Sequence, residues 1–193
     1  MKNIYLIVAP SGAGKTLLTE LLEQEYDYTT IQSYTTRQPR HDGERGHIFI
    51  TDREFDELLA NEIVVAYTEF CSNRYCATAK QVDENDLYVI DPKGIEFFRN
   101  SYKGNKGVKV IYIESSTSTR YERMCQRYQN NGDSRLDASE KALERIENDV
   151  MEFYNYVHHI TKPDLTVKNE LNDNILDVVE KVVVFINQCE GGD

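Results

Sequence analysis

The chain has 193 residues and a mass of 22.4 kDa, the size of one domain with its own core and too long to depend on disulfide staples. Hydrophobic residues make up 40% and charged residues 28%, with four prolines, which is a globular rather than a disordered composition, and no apolar run nears the ~20 residues that span a bilayer. Thirty-three acidic residues against 22 basic ones leave a net charge of −11, which argues against a polymeric nucleic-acid partner while allowing a local basic cluster to hold a small anion.

Ile4–Val8 is a short apolar run ending at Ala9-Pro10 and reads as a buried strand. With Lys2 the one basic residue before it and no small-x-small cleavage pattern, it is not expected to be a signal peptide. A glycine-containing turn leads into Thr16–Tyr26, where Leu17, Leu18, Leu21 and Leu22 recur at helical spacing. Asp27–Tyr34 is β-branched and aromatic and predicts a strand, Thr35–Gly46 a loop, and His47–Ile50 a short strand. Thr51-x-x-Glu54 fits a capping box for a helix whose face carries Phe55, Leu58 and Leu59. Strands are predicted over 63–70 and 74–78 about a turn at Asn73, and over 87–90, closed by Asp91-Pro92. The pattern then predicts a helix over 94–102, a strand over 108–114 and a helix over 117–128. A polar break over 129–134, a long helix over 138–156, a strand over 165–167 and a helix over 174–188 follow. This alternation predicts an α/β fold with a parallel sheet flanked by helices, interrupted by a small β-rich insert.

The four cysteines, Cys71, Cys76, Cys125 and Cys189, form no C-x-x-C pair, and His158-His159 has no cysteine at zinc spacing. Reduced thiols in a cytoplasmic protein are therefore expected.

Ala9-Pro10-Ser11-Gly12-Ala13-Gly14-Lys15-Thr16 matches the Walker A pattern with alanine at the first glycine position. Its glycines let successive backbone N–H groups of Ser11 to Thr16 turn towards phosphate oxygens, and the following helix aims its positive end there. Lys15 would neutralise the β- and γ-phosphates of ATP, and the Thr16 hydroxyl would ligate Mg²⁺. Arg37 and Arg40, three apart on a polar loop, can converge on one phosphate as bidentate donors.

The Walker loop, Ser33-Tyr34-Thr35-Thr36-Arg37-Gln38-Pro39-Arg40, Gly43-Glu44, Gly46, Tyr75-Cys76-Ala77-Thr78, Ile90-Asp91-Pro92-Lys93-Gly94, the Arg123, Arg127, Arg145 series and Asn169 resemble the guanylate kinases over roughly residues 4–187. The resemblance implies a P-loop core over about 1–33, 79–127 and 157–189, an acceptor-binding insert over about 34–78 and a helical lid over about 128–145. It implies that Arg37, Arg40 and Tyr75 hold the acceptor phosphate and that Ser33 and Asp91 touch the acceptor nucleoside. Asp91 also reads as a helix N-cap before Pro92. Arg123 and Asn169 are implied on the ATP side, and Arg127 and Arg145 on the transferring phosphate. Salt bridges to Glu122, Glu144 and Glu147 are the alternative reading of these arginines. The extra residues Tyr128 to Asn131 are expected to lengthen the lid loop.

The base-reading set departs from that family. Its guanine-reading glutamate falls on Ala66, its Tyr-Gly-Ser/Thr motif reads Tyr75-Cys76-Ala77, and a phosphate-binding tyrosine falls on or near Phe49. Glu69 is the nearest acid, but on a regular strand it points away from the Ala66 face, and only a bulge would bring it round. These changes predict relaxed or redirected base choice. The expected reaction is ATP- and Mg²⁺-dependent phosphoryl transfer to a small phosphorylated acceptor, GMP by analogy. A sugar-phosphate kinase and a non-catalytic guanylate-kinase-like binding module are the alternatives.

Overall fold

Strand β1 (Asn3–Val8) is buried at all six positions, as a strand with apolar residues on both faces requires. It pairs with β6 (Leu87–Val89) on one side and β7 (Gly107–Glu114) on the other, and β8 (Leu165–Lys168) extends the sheet beyond β7. The order is β6-β1-β7-β8 and every pairing is parallel. Ile4, Leu6 and Val8 face a core completed by Ile95 and Phe98 of α4 (Pro92–Ser101). Tyr5 and Ile7 face the opposite core, against Leu18 and Leu22 of α1 (Lys15–Tyr26) and Val178, Val179, Val182 and Ile186 of α7 (Ile175–Glu190). A parallel sheet covered on both faces is the α/β architecture the sequence predicts. The computed structural model describes residues 2–39, 42–61, 63–70, 72–154 and 162–191.

A second sheet holds β2 (Ser33–Thr35), β3 (His47–Phe49), β4 (Val64–Phe70) and β5 (Asn73–Thr78) in the order β3-β2-β5-β4. Here β2 and β3 run parallel, and β5 is antiparallel to both neighbours. Helix α2 (Asp52–Ala60) begins with the Thr51–Glu54 capping box in both directions, and its Phe55 joins Val64 and Cys76 in a small core of its own. Helices α5 (Thr117–Asn130) and α6 (Arg135–Tyr154) form a hairpin around Met124, Ala142 and Ile146.

Beyond shifts of a residue or two at element ends, the structure departs from the sequence-based reading in three regions. Of 27–34 only β2 forms a strand: Asp27 takes a left-handed φ of 57° to end α1. Beyond it, Thr30 makes a single bridge to Leu87 at the edge of the parallel sheet. The polar break in the hairpin is shorter than its composition implies, since α5 runs through Asn130 and α6 starts at Arg135. There Ser134 Oγ accepts the Asp137 N–H at 3.2 Å. A short helix α3 (Ala79–Glu84) has no sequence periodicity behind it. Its start is fixed by a second capping box, Thr78 with Gln81, and only Val82 is buried. The far end of the long predicted helix, residues 155 and 156, lies outside the described residues. Cys76, Cys125 and Cys189 are free thiols. No helix among the described residues is long and apolar enough to cross a membrane.

Candidate active site

The loop between β1 and α1 turns on two left-handed glycines, Gly12 at φ +79° and Gly14 at φ +100°. Both also lack room for a side chain: a Cβ on Gly12 would stand 2.8 Å from the Arg120 carbonyl oxygen, and one on Gly14 2.5 Å from the Asn169 side-chain nitrogen. Lys15 opens α1 and folds its ammonium back over the loop, donating to the carbonyls of Ala9 and, at 3.2 Å, Pro10. Thr16 sits in the first turn of the helix and is exposed. These features suit a polyphosphate and its magnesium ion: a cradle only glycine can shape, a cation lying across it, and an exposed hydroxyl at a helix start.

Two side chains brace the far side of the loop. Asn169, just past β8 and 3% exposed, donates its amide to the Ala13 carbonyl at 2.8 Å. Arg123 of α5 spans Asn169 and the loop, reaching Asn169 O at 3.1 Å, Asn169 Oδ1 at 3.2 Å, Glu170 O at 2.8 Å and Gly12 O at 3.4 Å. The Arg123 guanidinium therefore ties the loop, at the Gly12 carbonyl, to the backbone carbonyls of Asn169 and Glu170 past β8.

A cavity of about 380 Å³ opens between the two sheets, lined by Ser33, Arg37, His47, Thr68, Tyr75, Asp91 and Arg145 among others. Arg37 makes a two-pronged ion pair with Glu44 at 2.7 and 3.2 Å and lies 5.4 Å from the Phe49 ring. Hydrogen bonding to Glu44 outweighs burial and raises its already high pKa, with a smaller contribution from Tyr75, so the cation is permanent. Its Nε is buried without a hydrogen-bond partner. Ser33 Oγ lies 2.9 Å from His47 Nδ1, and the His47 ring packs against Tyr75 with centroids 5.7 Å apart. Asp91 caps α4, accepting the Gly94 N–H at 2.6 Å. Burial raises its carboxyl above the usual range, against opposing hydrogen bonds from Gly94, Thr68 and Lys93.

Of the residues the sequence singled out, the structure gathers Ser11 to Thr16, Arg123 and Asn169 at the loop, and Ser33, Arg37, Tyr75 and Asp91 at the cavity. Arg145 belongs to both: it lines the cavity and donates Nε–H to Ser11 Oγ at 2.6 Å. Arg127 does not join them, since it sits exposed at the end of α5 with its guanidinium 5.4 Å from the Tyr128 ring. Arg40 lies outside the described residues. Glu69 is exposed and receives the Tyr67 hydroxyl instead of lining the cavity. The strand does carry a register shift, but between Val64 and Ala66. From Ala66 onwards the pairing with β5 is regular, and Glu69 stays opposite Arg74.

Sequence reasoning missed Thr68, two residues from Ala66 and on the same face of β4, and His47, both of which line the cavity. It also missed Arg120 and Asp149, which meet Ser11 beneath the loop. The signal was available for Asp149: it falls on the buried face of α6 set by Ala138, Ala142 and Ile146.

Comparison with known proteins agrees with this arrangement. The family profile described as guanylate kinase matches residues 1–183. A guanylate kinase from Mannheimia succiniciproducens is 32% identical over 157 residues, covering 75% of this chain and 74% of the relative. One from Nitrosomonas europaea is 28% identical over 158 residues, with 76% and 78% covered. The crystal structure of guanylate kinase from Anaplasma phagocytophilum shares the fold with a TM-score of 0.61 at 21% identity, over 97% of this chain and 85% of that one. With the glycine-shaped loop, Lys15, the parallel sheet and the profile spanning nearly its whole length, the chain belongs to the guanylate kinase family.

Proposed function

We propose that this protein transfers the γ-phosphoryl group of ATP to a nucleoside monophosphate, with GMP as the acceptor. The observation that carries the proposal is the position of Arg145, which touches the phosphate loop at Ser11 and lines the cavity that holds Arg37 and Tyr75. Two phosphates bound on either side of one guanidinium are at the right places to exchange a phosphoryl group.

In this reading Gly12, Ala13 and Gly14 present backbone N–H groups to the β-phosphate, Lys15 leaves its two carbonyl partners for phosphate oxygens, and Arg123 and Asn169 keep the loop in shape. Mg²⁺, when bound at the Thr16 hydroxyl, offsets negative charge on the donor phosphates. Arg37 and Tyr75 hold the acceptor phosphate, a role the family resemblance extends to Arg40, while Ser33 and Asp91 contact its nucleoside. The acceptor is already an anion, so the transfer needs alignment and charge neutralisation rather than a covalent intermediate or a strong general base. Arg145 meets charge on the moving group, and Arg127 joins it only if the α5–α6 hairpin moves. The second sheet, over about 34–78, acts as the acceptor-binding unit, and the hairpin, over about 128–145, as the lid.

The test is ADP release from ATP·Mg²⁺ with GMP, AMP, CMP, UMP and a set of sugar phosphates. The expected result is turnover with GMP. Turnover with sugar phosphates alone, or with none of these acceptors, would overturn the proposal.

A further inference from the structure

Beneath the phosphate loop Arg145 joins an ionic cluster whose other charged members, Arg120 and Asp149, the reaction just described does not use. Asp149 of α6 is 2% exposed. Its carboxylate accepts the Ser11 backbone N–H at 2.6 Å, the Ser11 hydroxyl at 3.1 Å and Arg120 Nη2–H at 2.9 Å, and lies 3.5 Å from Arg145 Nε. Arg120 adds a bond from Nε to the Ser11 carbonyl at 2.9 Å. Every polar group of Ser11 is thus held by a side chain of the hairpin: its N–H by Asp149, its C=O by Arg120, and its hydroxyl by Asp149 and Arg145.

Burying two charges is a poor way to gain stability, because desolvation offsets most of their attraction. What such a pair does give is geometry, since charge-assisted bonds tolerate little displacement. Arg145 needs that geometry. Its side chain is 33% exposed, it is long and flexible, and Arg120, a second cation, binds the same serine. Without an anion between them, the two guanidinium groups would repel across Ser11. Asp149 stands one helical turn beyond Arg145, at the i,i+4 spacing that brings the two side chains together.

We infer that Asp149 is a positioning residue. Its carboxylate fastens the α5–α6 hairpin to the phosphate loop through Ser11 and sets the Arg145 guanidinium where loop and acceptor cavity meet. This rests on the kinase reading for its effect on turnover, but the fastening itself is independent of it.

The experiment compares wild type, Asp149→Asn, Asp149→Glu, Arg145→Ala and the Asp149→Asn/Arg145→Ala pair. Each is measured for kcat, for KM of ATP and GMP, for melting temperature and for hydrogen exchange over residues 9–16. Asp149→Asn is expected to lower kcat by about ten- to a hundredfold, the effect of displacing a reacting-centre group by about 1 Å, while KM for GMP stays within about threefold. It should add little to Arg145→Ala, because both act through one guanidinium. Exchange over residues 9–16 should rise as the Ser11 N–H loses its anion. Asp149→Glu keeps the charge but displaces it, so kcat should fall with the melting temperature close to wild type. That variant decides the matter if Asp149→Asn does not fold. Wild-type kcat in either variant, or a loss in Asp149→Asn that multiplies fully with Arg145→Ala, would overturn the inference. If wild type turns over none of the acceptors and exchange still rises in Asp149→Asn, the kinase reading fails and the fastening stands. Unchanged exchange in that case overturns the fastening too.

Discussion

Ala66 and Ala77 lie directly opposite each other across β4 and β5, at 1% and 0% exposure, in one apolar cluster with Tyr88, Ile90 and Phe98. Two positions where the family resemblance calls for polar base-reading groups are therefore filled by close packing. The polar side chains that line the same cavity include Ser33, Thr68, Asn73, Tyr88 and Asp91.

Guanine discrimination is accordingly expected to be weak. A missing charge-assisted contact is worth about 1.5–3 kcal/mol, so the GMP/AMP ratio of kcat/KM should be about ten- to a hundredfold lower than in an enzyme that has the glutamate. Glu69→Ala should leave the ratio unchanged, since Glu69 points to solvent. Thr68→Val should alter it, because it removes a cavity hydroxyl that also bonds Asp91. A measured ratio that collapses in Glu69→Ala would show that the strand rearranges when acceptor binds.

Lys15→Ala should abolish measurable turnover with little change in melting temperature. The ammonium donates to the backbone carbonyls of Ala9 and Pro10, and without it the loop retains its glycines, Asn169 and Arg123. Steady-state kinetics and a thermal melt on the same preparation check both halves.

The two lid arginines should separate. Arg145→Ala is expected to lower kcat by about a hundredfold, as removal of one preorganised charge-stabilising donor does, with ATP affinity nearly intact. Arg127→Ala, changing an exposed side chain at the end of α5, should cost less than about tenfold. Equal losses in kcat would mean that the hairpin brings Arg127 to the phosphates during turnover.

Asp91 provides a pH signature of folding. Burial raises its carboxyl pKa in the folded protein, so its contribution to stability is fully present below the unfolded value of about 3.9 and is lost as pH rises through the higher folded value. Asn serves equally well as an N-cap. Asp91→Asn should therefore gain stability relative to wild type as pH rises from 4 to 7, by denaturant titration at each pH. A difference that is constant over this range would contradict the raised value.

Much of the fold is written in short stretches of the chain. The apolar run of β1, the leucine spacing of α1, the Thr51–Glu54 box and the Gly-x-Gly-Lys-Thr turn each need only neighbouring residues to act, because local sterics, capping and periodicity decide them. The Walker loop and the arginine-bearing loop were legible for the same reason, being local patterns of donors. What the tertiary structure decided depends on residues far apart. The Ser11–Asp149 bond joins positions 138 apart in sequence, and no local pattern announces that an aspartate on the buried face of α6 will meet that loop. Over 27–32, where the composition predicts a strand, the assembled structure makes only the single bridge from Thr30 to Leu87. Glu69 faces solvent because the register shift falls before Ala66 rather than after it, which leaves Glu69 paired regularly opposite Arg74. Cavities and charge clusters form where separate elements meet, and side-chain packing and the pairing of buried charges select that meeting only once the whole core is assembled.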